Sequence, residues 1–154
     1  MNNAARFTRV DRLEIEEADW DFIHSVNLKA VFICCQAAAK IMLAGEGGHF
    51  VNIGSLGPLK PCAHHAHYGA SKAGVVMPTK SPAKSWAPKA VNGVAPGVIP
   101  FERTDRRIEK LIQATPAGRA GTGEEIAEAT LLFMKATQSI TWQTIAVEGG
   151  LSLR

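Results

Sequence analysis

The sequence predicts an α/β fold built on parallel strands, and two observations carry that prediction. Short apolar runs at 49–54, 90–95 and 143–147 read as strands, and helical stretches at 18–43, from Tyr68 to about Trp86, at 104–113 and at 123–136 separate them. Strands joined by whole helices are connected as crossovers, the arrangement of a parallel sheet. The length, 154 residues, suits one domain over 1–154 with a usable core.

The elements follow in order. Residues 1–4 read as the end of a strand. Glu16, Glu17 and Asp19 place acids at the start of the 18–43 helix, where the helix dipole favours them. Gly45-Glu46-Gly47-Gly48 is a turn, and His49 to Gly54 is a short buried strand. The Tyr68 helix must stop before Pro88. The 90–95 strand ends in a Pro96-Gly97 turn. Thr122, with Glu125 three residues on, forms a capping box for a helix from Gly123 to about Ala136. There is no internal repeat and no low-complexity linker.

Composition narrows the class. A hydrophobic fraction of 46% and a charged fraction of 20% are those of a soluble globular protein. A scattered net charge of +3 argues against nucleic acid as a partner. Arg103, Arg106, Arg107 and Lys110 read as the solvated face of a short helix. Three cysteines without a regular framework point to a reducing, cytoplasmic setting, with Cys34 and Cys35 as small core residues. The Met1 start shows no signal segment. Lys29, Gln36 and Lys40 interrupt the most apolar helix, so no membrane association is expected.

Tyr68 and Lys72 stand four apart on one helix face. A nearby ammonium favours a phenolate and lowers its pKa, which makes Tyr-x-x-x-Lys a sensible acid–base unit. Ser55 lies at the C-terminal end of the 49–54 strand, where open α/β sheets bind ligands. Asn27 lies inside the long helix. Taken singly, each has a plainer reading: a surface tyrosine with a helical lysine neighbour, a turn serine, a tolerated helix asparagine.

Together, Asn27, Ser55, Tyr68 and Lys72 at these spacings resemble the catalytic tetrad of the short-chain dehydrogenase/reductases. Asn2-Asn3-Ala4-Ala5 is similar to that family's Asn-Asn-Ala-Gly motif. Asp19-Trp20-Asp21 through Val26-Asn27-Leu28 resembles the helix leading to its active-site asparagine. Val91-Asn92-Gly93-Val94-Ala95-Pro96-Gly97-Val98-Ile99 resembles its strand and Pro-Gly turn beside the nicotinamide. Gly118-Arg119 to Ala127, and Ile140-Thr141 to Gly150, resemble its last helix and strand. The resemblance covers essentially the whole chain and leans toward pteridine-reductase-like or 3-oxoacyl-reductase-like members.

The resemblance implies a partial doubly wound, Rossmann-like parallel sheet and NAD(P)(H)-dependent hydride transfer to or from a small-molecule carbonyl, alcohol or pterin. It makes Tyr68 the proton donor or base. It has Lys72 tune the phenol and hold the nicotinamide ribose, Ser55 hydrogen-bond the substrate oxygen, and Asn27 hold a relay water. Asn3, Tyr68, Lys72, Pro96, Gly97 and Ile99 would line the cofactor site, for NADP or NAD, in a homo-oligomer. No Gly-rich strand–turn–helix for the pyrophosphate occurs in these residues, so the chain is expected to be the C-terminal portion of such a domain. The alternative is a non-catalytic fragment that serves as an oligomerisation or interaction module through the long helix.

Cys62, His64, His65 and His67 put four potential ligands in six residues. No second ligand cluster accompanies them, so no metal is expected, and they read as a substrate-side loop or solvated histidines. Several positions depart from the family pattern. Ala5 replaces its glycine, and Pro78 and Pro82 fall inside the Tyr68 helix. The approach to the 90–95 strand is about two residues short, which bears on its register. Trp142 stands where the family usually has glycine.

Overall fold

The structure is a computed structural model that describes residues 1–45, 47–57, 65–76, 79, 90–100 and 105–153. Helix α1 (Glu17–His24) runs through a π-helical segment (Ser25–Ala30) into α2 (Val31–Ala44). Strand β1 (His49–Ile53), helix α3 (Ala66–Gly74), strand β2 (Ala90–Pro96), helices α4 (Arg106–Ala114) and α5 (Gly123–Lys135), strand β3 (Thr144–Val147) and a short 3-10 turn (Leu151–Leu153) follow.

The sheet is parallel, in the order β1-β2-β3. Phe50 pairs with Val91 and Ile53 with Val94; Val94 in turn pairs with Ile145. Asn2 adds a parallel bridge to Asn52 on the other side of β1: its N–H donates to Val51 O and its carbonyl accepts from Ile53 N, both at 2.9 Å. The first residues thus pair with β1 through one isolated bridge at Asn2 and form no strand of their own. The sheet is the Rossmann-like parallel arrangement that the alternation of elements predicts.

Side-chain alternation divides the core into two layers. On one face Phe50 and Val91 pack with Val31, Cys35 and Ala39 of α2 and with Val75. On the other, Val51, Ile53 and Val94 pack against Phe133 of α5. Both faces of the sheet are covered by helices, as parallel sheets require. The Pro78, Pro82 and Lys89 positions lie outside the described residues, as do Cys62, His64 and Arg103.

One expectation needs correction. Only Cys35 is a core residue; Cys34 is exposed. Consecutive helix positions point about 100° apart, so both could not face one core. The outer face of the long helix is mixed: Lys29, Gln36 and Lys40 are exposed beside Phe32, Ile33, Ile41 and Leu43. By length and composition, Glu17–Ala44 is long and apolar enough to cross a membrane; in this fold its buried stripe packs on the sheet as a core helix does.

The helix ends are capped as their residues dictate. Glu16 and Asp19 form a capping box at α1. Thr122 and Glu125 do so at α5, and Arg119 pairs with the same Glu125. Asp105 caps α4 by accepting from the N–H groups of Arg107 and Ile108. Those two hydrogen bonds and the Arg9 guanidinium hold the Asp105 carboxyl below its usual range.

Candidate active site

The predicted residues gather at the C-terminal ends of β1 and β2. Ser55 follows β1 by two residues, held where Gly54 N–H donates to Val94 O at 2.8 Å and Leu56 N–H to Pro96 O at 3.0 Å. Its Oγ accepts from Gly57 N at 3.1 Å and lies near enough to the Tyr68 phenol to lower its pKa. Ser55 therefore acts on the Tyr68 phenol although the two stand thirteen positions apart in the chain.

Tyr68 occupies the first turn of α3, and Lys72 lies one turn further on, buried. Lys72 Nζ donates to Ile53 O at 2.9 Å. Burial pushes the Lys72 ammonium down to about 8. Burial also pushes the Tyr68 phenol up, and the Ser55 hydrogen bond opposes that rise. Lys72 is not among the groups that move the phenol, in contrast to the expected lowering; its ammonium is turned toward Ile53 O. A small cleft of about 30 Å³ beside Lys72 is bordered by Asn52, Ser55, Thr79, Gly93 and Thr144.

Asn27 is fully buried in the π-helical segment, a backbone form often found at functional sites. Its amide donates to Arg6 O at 2.9 Å and Ser71 Oγ at 3.1 Å and accepts from Arg6 N at 2.7 Å. Ser71 Oγ in turn donates to Tyr68 O at 2.7 Å. The tetrad is thus connected: Asn27 reaches the Tyr68 backbone through Ser71, and Lys72 reaches the end of β1.

The residues expected around the cofactor are less uniformly placed. Pro96 ends β2, and Gly97 N–H donates to Val147 O at 2.9 Å. A side chain at Gly97 would meet the Glu148 backbone at 2.7 Å, so glycine is required there for the close approach of two chain segments. Ile99 is half-buried beside Gly121. Asn3 is exposed, and it is its neighbour Asn2 that bridges to β1. A larger cleft of about 70 Å³ lies between Val98, Thr115, Arg119, Glu125 and Glu148, and none of the predicted site residues lines it.

Sequence reasoning missed the segment that crosses the site. His67, read as loop-side or solvated, is fully buried, with Nε2 2.7 Å from Thr8 Oγ1. Its Nδ1 is buried with no partner among the described residues. The tautomer carrying the proton on Nε2 is therefore favoured, since it leaves a lone pair rather than an N–H unpaired. The Phe7 ring lies 4.7 Å from that of His65 and 5.0 Å, edge-on, from that of Tyr68. Thr8 and His67 are fifty-nine residues apart, and no local pattern announces such a pair.

A family model described as enoyl-(acyl carrier protein) reductase matches residues 1–152. The chain is 36% identical over 160 residues to the 2-dehydro-3-deoxy-D-gluconate 5-dehydrogenase of Escherichia coli (strain K12), covering 97% of this chain and 63% of that one. It is 38% identical over 159 residues to the 3-oxoacyl-[acyl-carrier-protein] reductase of Synechocystis, covering 98% and 63%. It superposes with a TM-score of 0.91 and 34% identity on a gluconate 5-dehydrogenase from Burkholderia cenocepacia in complex with NADP and tartrate, covering 99% of this chain and 64% of that one. The chain spans about 63% of the length of the curated relatives it matches. With Asn2 bridged to β1, Ser55 beside Tyr68 and Lys72 one turn away, the chain belongs to the short-chain dehydrogenase/reductase family.

Proposed function

We propose that this chain carries the proton-transfer half of an NAD(P)(H)-dependent carbonyl reductase acting on a small molecule in the cytoplasm. The gathering of Ser55, the Tyr68 phenol and a buried Lys72 at the C-terminal ends of parallel strands supports this reading. Lys72 fits the nicotinamide-ribose end of such a cofactor: it is a buried ammonium whose hydrogen bond among the described residues goes to Ile53 O, which leaves donors for a diol. The nicotinamide supplies the hydride when bound.

The chain's own residues handle the proton. A phenol pushed up by burial stays protonated at neutral pH, which suits proton donation to a carbonyl oxygen and hence the reductive direction. Ser55 Oγ would hydrogen-bond the same oxygen and stabilise its developing charge. Lys72 fixes the floor of the site, and Asn27, through Ser71, fixes the turn that bears Tyr68.

The test is NADPH oxidation by the purified chain with simple ketones, beside Tyr68→Phe and Ser55→Ala. Turnover that Tyr68→Phe abolishes and Ser55→Ala cuts by roughly a hundredfold or more supports the reading. Turnover unchanged in Tyr68→Phe overturns it. The exposed Phe32, Ile33, Ile41 and Leu43 on α2 support a homo-oligomer. Sedimentation that gives a dimer without NADPH turnover would favour the interaction-module reading instead.

A further inference from the structure

Phe7 is 55% exposed, yet it is held at a fixed place against the Tyr68 ring. The backbone of Arg6 before it is bonded at both polar groups to Asn27, at 2.7 and 2.9 Å. Thr8 after it is bonded to the buried His67 at 2.7 Å. Arg9 then pairs with Asp105 at 3.0 Å, so the strap over residues 6–9 is fastened to three different elements. A half-exposed phenyl ring secured on both sides loses its freedom before any ligand arrives, which is the preorganisation that binding rewards.

Among the described residues, the ring's close partners are aromatic. His65 and Tyr68 form the other two members of the cluster. The two guanidiniums of the strap are turned elsewhere: Arg6 lies 5.1 Å over the Phe22 ring, and Arg9 faces Asp105. A carbonyl placed at Ser55 and Tyr68 would bring its nearest substituent against Phe7. An apolar or aryl substituent gains contact there, whereas a run of hydroxyls would be left facing a ring that offers no hydrogen bond.

We propose that Phe7 is a specificity-determining wall of the Tyr68 site, and that it selects ketones carrying an apolar or aromatic group over polyhydroxylated acids. The proposal rests on the proton-transfer reading above for where the carbonyl sits. Its test measures equilibrium binding of benzylacetone, acetone and gluconate to the purified chain by ligand-observed NMR, beside Phe7→Ala and Phe7→Leu. The same proteins are assayed for NADPH-dependent turnover of benzylacetone, with Tyr68→Phe as control.

Wild type is expected to prefer benzylacetone to gluconate by about tenfold or more, the scale of an apolar contact in a site. Phe7→Ala is expected to lose about that factor for benzylacetone and to leave acetone and gluconate within about twofold, with Phe7→Leu in between. Equal or tighter gluconate binding by wild type, or a Phe7→Ala loss shared equally by all three probes, overturns the proposal. The two readings fail separately. The expected preference with turnover that survives Tyr68→Phe sinks the proton-transfer reading and leaves the wall standing, while Tyr68-dependent turnover without the preference sinks the wall alone.

Discussion

The Asn27 side chain pairs with the backbone of Arg6 as a strand would, accepting from its N–H at 2.7 Å and donating to its carbonyl at 2.9 Å. The remaining amide hydrogen goes to Ser71, one position before Lys72. One buried amide thus joins the strap over the site to the helix that bears Tyr68 and Lys72. Its conformation in a π-helical segment places it there, where a regular helix turn would space the chain differently.

Asn27→Ala should therefore destabilise by about 2–3 kcal/mol, because it strips partners from Arg6 and Ser71 at a fully buried position. Asn27→Asp should be no better: a carboxylate still accepts from Arg6 N–H but cannot donate to Arg6 O, and it buries a charge. Urea unfolding reads both; wild-type midpoints would remove the clamp from the account.

Trp142 has φ of 63°, the left-handed region that side chains larger than glycine rarely adopt, and it is 53% exposed. The conformation is fixed because its N–H donates to Val91 O at 2.7 Å just before β3 begins. Relief of about 1 kcal/mol is expected for Trp142→Gly over Trp142→Ala, since only the first removes the Cβ penalty. That corresponds to a melting difference of roughly 2–4 °C in a chain of this size. Equal melting of the two variants would show the left-handed backbone to be unstrained.

Lys72 gives stability a dependence on pH. Its ammonium titrates at about 8 when folded, against an ordinary value of 10.5. Between those values the unfolded chain holds more protons than the folded one, so stability rises with pH through that window and is lowest below it. The cost below pH 8 is of order 3 kcal/mol, partly offset by the ~1 kcal/mol hydrogen bond to Ile53 O. Lys72→Met should melt higher than wild type at neutral pH, with the gap closing toward pH 10.5. A gap that stays constant across that range would refute the burial cost.

Tyr68 is the only tyrosine in the chain, so phenolate absorbance reports it alone. Its titration midpoint should lie above the ordinary value of 10.0. Ser55→Ala should move it higher still, because the Ser55 hydrogen bond is what lowers it. A midpoint at or below the ordinary value in wild type would mean that a cation reaches the phenol after all.

The periodicity of apolar residues placed β1, β2 and β3 within a residue or two, and Thr122 with Glu125 announced the start of α5 correctly. These are local matters: a strand's alternation and a cap's side-chain-to-backbone bonds involve residues close in the chain. The helix at 106–114 was equally legible, though its cap, Asp105, also takes Arg9 from the far end of the sequence.

By itself the sequence determined the alternation of helices and parallel strands, the family, and the four residues whose spacing makes them the candidate site. The tertiary structure alone decided what those residues touch: Lys72 on Ile53 O, Asn27 on Arg6 and Ser71, with Ser55 brought near the Tyr68 phenol. It also decided that Phe7 and His67 belong beside them. Composition and spacing act over a few residues, but contacts across twenty to sixty residues form only when the sheet brings distant segments to one edge, so no local pattern can record them.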